Sequence, residues 1–198
     1  MVRITGKAKQ VVRQRLLEEA AVHFARNGFD RANVNSIAVD AGFAKGTVYN
    51  YFSSKEELFG EVLTAACENA VARYTATPHS DSVRARLEAL VAADVEVLRD
   101  GEPFMKVLVR EAMGFRPSTY AIIVEHLAPF LNVVTAVLAA GAEAGEIRKD
   151  RPLDQLALMF VGTLTMLYVQ HWGSAGTWPT LDELPSLVVS AFLDGAGT

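Results

Sequence analysis

One cysteine, Cys67, stands in 198 residues. That excludes a disulfide framework and any site built from several thiolates. In an apolar helical neighbourhood a lone thiol reads as a buried structural group. The four histidines are far apart, with no HxxxH or HExxH spacing, so no metal is expected; His126 with His171 would be ligands without a motif. The chain opens without the apolar run of a secretory leader. Its longest strongly apolar stretch, residues 156–169, is 14 residues long and includes Thr163 and Thr165. That is short for a bilayer and fits a buried helix, so the expected location is cytoplasmic and no membrane partner is expected. A GxSxG elbow, a P-loop and a GxGxxG turn are all missing. Ser, His and Asp occur, but no spacing gathers them. The chain is therefore expected not to be an enzyme and to carry no cofactor, with a helical-bundle hydrolase as the contrasting alternative. Sustained strand alternation and internal repeats are missing too.

The net charge of −4 argues on its own against a nucleic-acid binder, but its distribution is uneven. Residues 1–59 hold nine Lys and Arg against six Asp and Glu, and residues 60–198 hold ten against seventeen. Arg3, Lys7, Lys9, Arg13 and Arg15 precede any acidic residue. A basic start on an acidic body suits either a local polyanion contact or a solvated tail.

The spacing is helical throughout, and about nine helices are expected: an all-α fold. The first covers about 11–26, with Leu16, Leu17, Ala20, Ala21 and Phe24 on one stripe and Asn27-Gly28 as its stop. A short second helix, 34–41, has Asn33 as N-cap, Ile37, Ala38 and Ala41 inside, and Gly42 as its end. A short third, 45–52, places Val48 and Phe52 inward. Ser54-Lys55-Glu56-Glu57 is a capping box that opens a fourth helix to about residue 75. Further segments read as 82–100, 103–114, 117–144, 153–172 and 181–193. Two domains are expected, 10–58 and 59–198, with the boundary inside the fourth helix, which would couple them mechanically.

Two short helices joined by a tight Gly turn make a helix-turn-helix candidate at 33–52. Small residues, Ala38 and Ala41, suit a close helix crossing. The outer face of the third helix offers Lys45, Thr47, Tyr49 and Asn50, while Gly46 allows close approach to a phosphate backbone. Tyr49 is outward by spacing, although it also suits core packing. Lys55 suits either a phosphate contact or a plain surface charge.

The run Gly42-Phe43-Ala44-Lys45-Gly46-Thr47-Val48-Tyr49-Asn50-Tyr51-Phe52, followed by Ser53-Ser54-Lys55-Glu56-Glu57-Leu58, resembles the TetR family of one-component regulators. Phe24-Ala25-Arg26-Asn27-Gly28-Phe29 fits the end of that family's first helix. The likeness covers about residues 10–70; beyond it only the helical layout and Gly145-Glu146-Ile147-Arg148 agree. By position, the resemblance implies DNA contacts from Asn33, Val34, Lys45, Gly46, Thr47 and Tyr49, phosphate contacts from Tyr51 and Lys55, and base reading by Asn50, since Asn pairs with adenine. Ala44 departs from a common Ser, and His23 stands where an apolar residue is usual.

For residues 59–198 the resemblance implies ligand binding and dimerisation. Two short reading elements at fixed separation multiply affinity, and the last two helices are expected to form the homodimer through Leu156, Phe160, Leu164, Leu167, Leu184, Leu187, Val188, Ala191 and Phe192, unless these are intrachain core. The expected effector wall is Phe104, Met105, Met113, Tyr120, His126, Phe130, Met166, Tyr168, His171 and Trp172, suited to a small apolar or aromatic molecule. Arg110-Glu111 and Glu125-His126 interrupt apolar helices, as solvated faces or as polar specificity groups. The expected function is a repressor of double-stranded operator DNA, released from a palindrome when an effector binds. The alternatives are an activator or a ligand-independent DNA binder of the same fold.

Overall fold

The computed structural model of the chain describes residues 6–77, 82–114 and 116–194. Among these residues there are seven α-helices and no strand: α1 (Gly6–Arg31), α2 (Val34–Asp40), α3 (Lys55–Ala76), α4 (Val83–Ala112), α5 (Pro117–Ala144), α6 (Leu153–Gly173) and α7 (Leu184–Leu193). The all-α class stands; the count of nine does not, for two reasons. Residues 45–52 fold as turns around a single 3-10 turn, Val48–Asn50. A segment so short, with a glycine and two β-branched residues, does not nucleate an α-helix. The segments expected at 82–100 and 103–114 are one helix, α4, interrupted at Gly101 (φ −153°, ψ 58°). Pro103 follows where the missing amide costs little.

The chain forms two compact units. One holds the residues up to Ala66 together with Gly101–His126; the other holds Cys67–Asp100 and the residues from Leu127 onward. Each passage between units falls inside a helix: α3, α4 and α5.

In the first unit the α1 stripe is fully buried at Leu16, Leu17, Ala20, Ala21 and Phe24, against Ile37 and Ala38 of α2, its C-cap Ala41, and Leu58, Phe59, Val62 and Leu63 of α3. Phe24, Phe29 and Phe59 form an aromatic cluster with centroids 5.0–6.1 Å apart, Phe59 edge-on to Phe24 and tilted on Phe29, and Phe24 and Phe29 stacked, arrangements that rings favour. Gly28 breaks α1 at φ 73°, ψ 169°, a backbone region open essentially to glycine alone. Residues expected as a basic arm divide: Lys7 and Lys9 are exposed on α1, and Arg3 lies outside the described residues. Arg13 is committed inside the unit, paired with Glu61 at 2.5 Å and lying over the Phe52 ring. His23, the unusual residue of α1, pairs through Nε2 with Asp40 Oδ2 at 2.7 Å and ties α1 to α2.

In the second unit α6 and α7 pack on one another, with Leu156, Phe160, Leu164, Leu184 and Val188 buried. By length and composition α5 and α6 are each sufficient to cross a membrane; each has a buried inner face in this unit, Val134, Val137 and Leu138 on one and Leu156, Phe160 and Leu164 on the other. Gly141 lies where a Cβ would collide with Val83 and Ile147. Cys67 is buried, and burial pushes its thiol up to about 12, so it stays protonated and inert.

The second unit also buries a carboxyl group. Asp94 is 6% exposed and accepts a 2.6 Å hydrogen bond from the Tyr168 hydroxyl. Burial raises its pKa from the ordinary 3.8 to about 6, and the Tyr168 bond opposes that rise. A raised carboxyl binds its proton more tightly in the folded state, so the stability it confers is full below its unfolded pKa and is lost as pH rises through the folded one. Asp94→Asn abolishes this dependence. Its stability relative to wild type, from urea unfolding at a series of pH values, is expected to improve by about 2 kcal/mol between pH 4 and pH 7; an unchanged difference across that range would contradict it.

Candidate nucleic-acid interface

α2 starts at Asn33, whose side-chain oxygen accepts from the amides of Asn35 (2.9 Å) and Ser36 (3.4 Å). That oxygen is committed to the cap, and the amide NH2 remains as the donor end of the side chain. Val34, grouped with Asn33 in the expected contact set, has its side chain in the core at 7% exposure, so only its backbone is at the helix start. The end of α2 is a two-bond reversal: Gly42 N–H donates to Val39 O (2.9 Å) and Phe43 N–H to Ala38 O (2.8 Å), with Gly42 at φ 85°. This is the Schellman arrangement, which a glycine in the left-handed region makes cheaply.

From there the chain runs through tight bonds, Thr47 N–H to Ala44 O (2.8 Å), Asn50 N–H to Thr47 O (3.1 Å) and Tyr51 N–H to Val48 O (2.9 Å). This turn has Thr47 as its N-cap, whose side chain makes no capping bond. Its position comes from two anchors, Val48 and Phe52, each 1% exposed. The intervening residues face out: Lys45, Gly46, Tyr49 and Asn50 are exposed, Tyr49 by 55%, while Thr47 and Tyr51 are half-buried. A Cβ on Gly46 would meet nothing within 4 Å, so the backbone there is open to an approaching phosphate.

Lys55 opens α3 beside this surface. Its Nζ donates to Asp30 O at 3.0 Å and sits 4.9 Å from the Phe29 ring centroid; an ammonium carries three donors, so phosphate can share it. The capping box is displaced by one residue. Glu57 N–H donates to Ser54 Oγ (3.1 Å), but the Glu57 carboxylate accepts from the hydroxyl and amide of Ser53 rather than from Ser54. The Ser53 hydroxyl, then its amide, hold that carboxyl below the ordinary range. The surface is therefore a cation- and amide-bearing loop without its own acidic residue between Gly42 and Phe52, suited to phosphate and base edges.

The expected effector wall divides between the two units. Phe104, Met105, Met113, Tyr120 and His126 lie in the first. Phe104 packs against that unit's core, Met113 and Tyr120 are exposed, and His126 Nδ1 lies 2.5 Å from Thr64 Oγ1. The His126 ring sits directly over Gly60, where a Cβ would strike it. In the second unit Phe130 is buried and Met166 exposed. Tyr168 stacks on Trp172 at 5.8 Å, and His171 Nδ1 lies 2.8 Å from Pro179 O. Tyr168 and Trp172 are thereby brought into contact, and the Tyr168 hydroxyl is engaged by Asp94. A cavity of about 590 Å³ in the second unit is instead lined by Ile147, Arg148, Arg151, Leu156, Met159 and Phe192, among others.

The expected dimer set needs correction. Leu156, Phe160, Leu164, Leu184 and Val188 are intrachain core, Leu167, Leu187 and Phe192 are half-buried, and of the set only Ala191 is exposed. The free apolar face of α6 is the other one: Leu158, Met159, Met166 and Val169 are 37–59% exposed, on either side of Gly162. A helix apolar all round has two candidate faces, and periodicity does not choose between them.

A family model described as bacterial regulatory proteins, tetR family, matches residues 16–62, and one described as tetracyclin repressor-like, C-terminal domain, matches residues 80–195. The HTH-type transcriptional repressor KstR2 of Rhodococcus jostii is 30% identical over 188 residues, covering 92% of this chain and 90% of its own. The regulator FadR of Bacillus subtilis, solved in complex with stearoyl-CoA, superposes with a TM-score of 0.77 at 22% identity, over 93% of this chain and 99% of that one. FadR of Bacillus halodurans, a fatty acid degradation regulator, gives the same TM-score at 24% identity and the same coverage. At such identities the two structures speak to the fold alone.

Two substitutions separate surface from anchor. Tyr49→Ala is expected to change the unfolding free energy by less than about 0.5 kcal/mol. Phe52→Ala is expected to cost about 3–5 kcal/mol. Parallel chemical denaturation of the two variants checks both values, and a large loss from Tyr49→Ala would move that ring into the core.

Proposed function

The chain belongs to the tetR family of bacterial regulatory proteins, and from that premise we propose that it is a dimeric cytoplasmic repressor that grips a palindromic operator and releases it when a small apolar or aromatic effector binds. The observation that carries the DNA half is the exposed set Lys45, Gly46, Tyr49 and Asn50, held out by the buried pair Val48 and Phe52. Asn33, Thr47, Tyr51 and Lys55 flank it as further contacts, chiefly to phosphate.

A 3-10 turn reads few bases, so one copy binds weakly and two at fixed spacing bind well. The exposed Leu158, Met159, Met166 and Val169 on α6 supply an apolar face for the second copy, with Leu187 and Ala191 of α7. Burying such a face is what holds an obligate dimer together. The effector binds within the second unit, where an apolar interior carries few polar groups. The likeness to a regulator solved with stearoyl-CoA makes acyl-CoA thioesters the first effector class to test. For release, the effector must prefer the DNA-incompetent state.

A duplex enriched by the wild-type chain from a random pool serves as operator. It is expected to be palindromic, to bind with steep salt dependence, and to be displaced by stearoyl-CoA but not by coenzyme A alone. Enrichment without displacement by any acyl-CoA would remove that effector class, and enrichment of no duplex would remove the regulator reading. Met166→Glu is expected to turn a dimer into a monomer in sedimentation velocity and to weaken operator binding by about a hundredfold or more. A Met166→Glu chain that stays dimeric would place the interface elsewhere.

A further inference from the structure

The Gly28 break in α1 frees backbone groups that a continuous helix would satisfy, and two side chains from the end of α4 take them up. Arg110 Nη1 donates to Ala25 O (2.9 Å) and to Arg26 O (3.0 Å). The Phe29 amide, on the other side of the break, donates to Glu111 Oε1 at 3.0 Å. The fit is close: a Cβ on Gly28 would lie 3.0 Å from Glu111 Oε1 and 3.3 Å from Arg110 Nε. Glu111 is only 3% exposed, and its Oε2 has no hydrogen-bond partner. A buried, half-satisfied carboxylate is costly and is a poor way merely to fill space. Arg116 adds an ion pair to Asp30 Oδ2 at 2.5 Å.

What this arrangement holds is the corner that leads into α2. Three residues beyond Asp30 comes Asn33, the N-cap of α2, and Lys55 reaches back to Asp30 O. Fixing the break therefore fixes the point from which α2 and the reading turn are suspended. We propose that Arg110 and Glu111 are positioning residues for DNA recognition: they clamp the Gly28 break and so set the orientation of the reading turn without touching DNA. This rests on the chain being a DNA-binding regulator. Because α4 enters the first unit at Gly101, a turn or slide of its last residues acts directly on this corner.

The full-length protein tests it with two duplexes, the one enriched by wild type and a scrambled one of equal length, together with amide exchange at Phe29 and residues 34–40. Glu111→Ala is expected to deprotect the Phe29 amide and to weaken binding to the enriched duplex about tenfold or more. Binding to the scrambled duplex should stay within about twofold, since the phosphate-facing cations are untouched. Glu111→Gln keeps an acceptor for Phe29 and is expected to restore both readouts. Where Glu111→Ala does not fold, Arg110→Ala makes the same comparison and leaves no new buried apolar void, because Arg110 is part-exposed. Unchanged affinity for the enriched duplex, or parallel loss on both duplexes, would overturn the positioning role. If wild type enriches no duplex, the regulator reading fails by itself. The exchange comparison then judges the clamp without DNA, and unaltered protection at Phe29 and α2 in Glu111→Ala would refute it.

Discussion

The reading turn has almost no secondary structure of its own, so its shape depends on the burial of Val48 and Phe52. Between Gly42 and Phe52 the backbone makes a handful of local turn bonds and no extended helix. Such bonds are worth little net in water, and a 3-10 turn is rarely stable alone. Two side chains at 1% exposure, seated among Leu16, Phe24, Ile37 and Leu58, supply what the local bonds do not. Lys45, Tyr49 and Asn50 can then be polar and solvated, because none of them is needed for folding. This division between anchors and presented groups lets a small unit hold a solvated surface on a buried core.

That division follows local chemistry, and local chemistry is what a sequence displays. The α1 stripe, the Asn33 cap, the Gly42 reversal and the inward Val48 and Phe52 each depend on neighbours within a few residues, so spacing alone reveals them. The capping box at Ser54 was legible in kind and off by one residue in detail, because the Ser53 amide and hydroxyl both lie within reach of Glu57. Residues 45–52 carry a helical spacing yet form only one 3-10 turn, since periodicity reports which residues face inward and not how many turns are hydrogen-bonded.

The body of the chain was less legible for a different reason. On α6, Leu156, Phe160 and Leu164 define one apolar face and Leu158, Met159 and Met166 another. Packing against α7, and the Tyr168 bond to Asp94 of α4, decide which is core. Size and polarity mark Tyr168 and His126 as candidate pocket residues, and their actual partners, Asp94 and Thr64, are 74 and 62 residues away in sequence. Nothing local marks such pairs. The same holds for Arg110 and Glu111, whose partners lie on α1 more than eighty residues earlier.

Long-range polar contacts of this kind share a physical logic. A charge drawn out of water needs compensation, and in this chain the half-buried Arg110 finds it in backbone carbonyls freed by a glycine. Gly28 and the end of α4 therefore make sense only together: the glycine opens the ladder, and the side chains close it from another helix. A side chain at Gly28 would be strained at its positive φ and would press on Glu111 Oε1. An unbroken α1, conversely, would leave Glu111 buried with no amide to accept. Stability and geometry are thereby placed in one contact, and a contact that sets geometry can also change it when the helix that carries it moves.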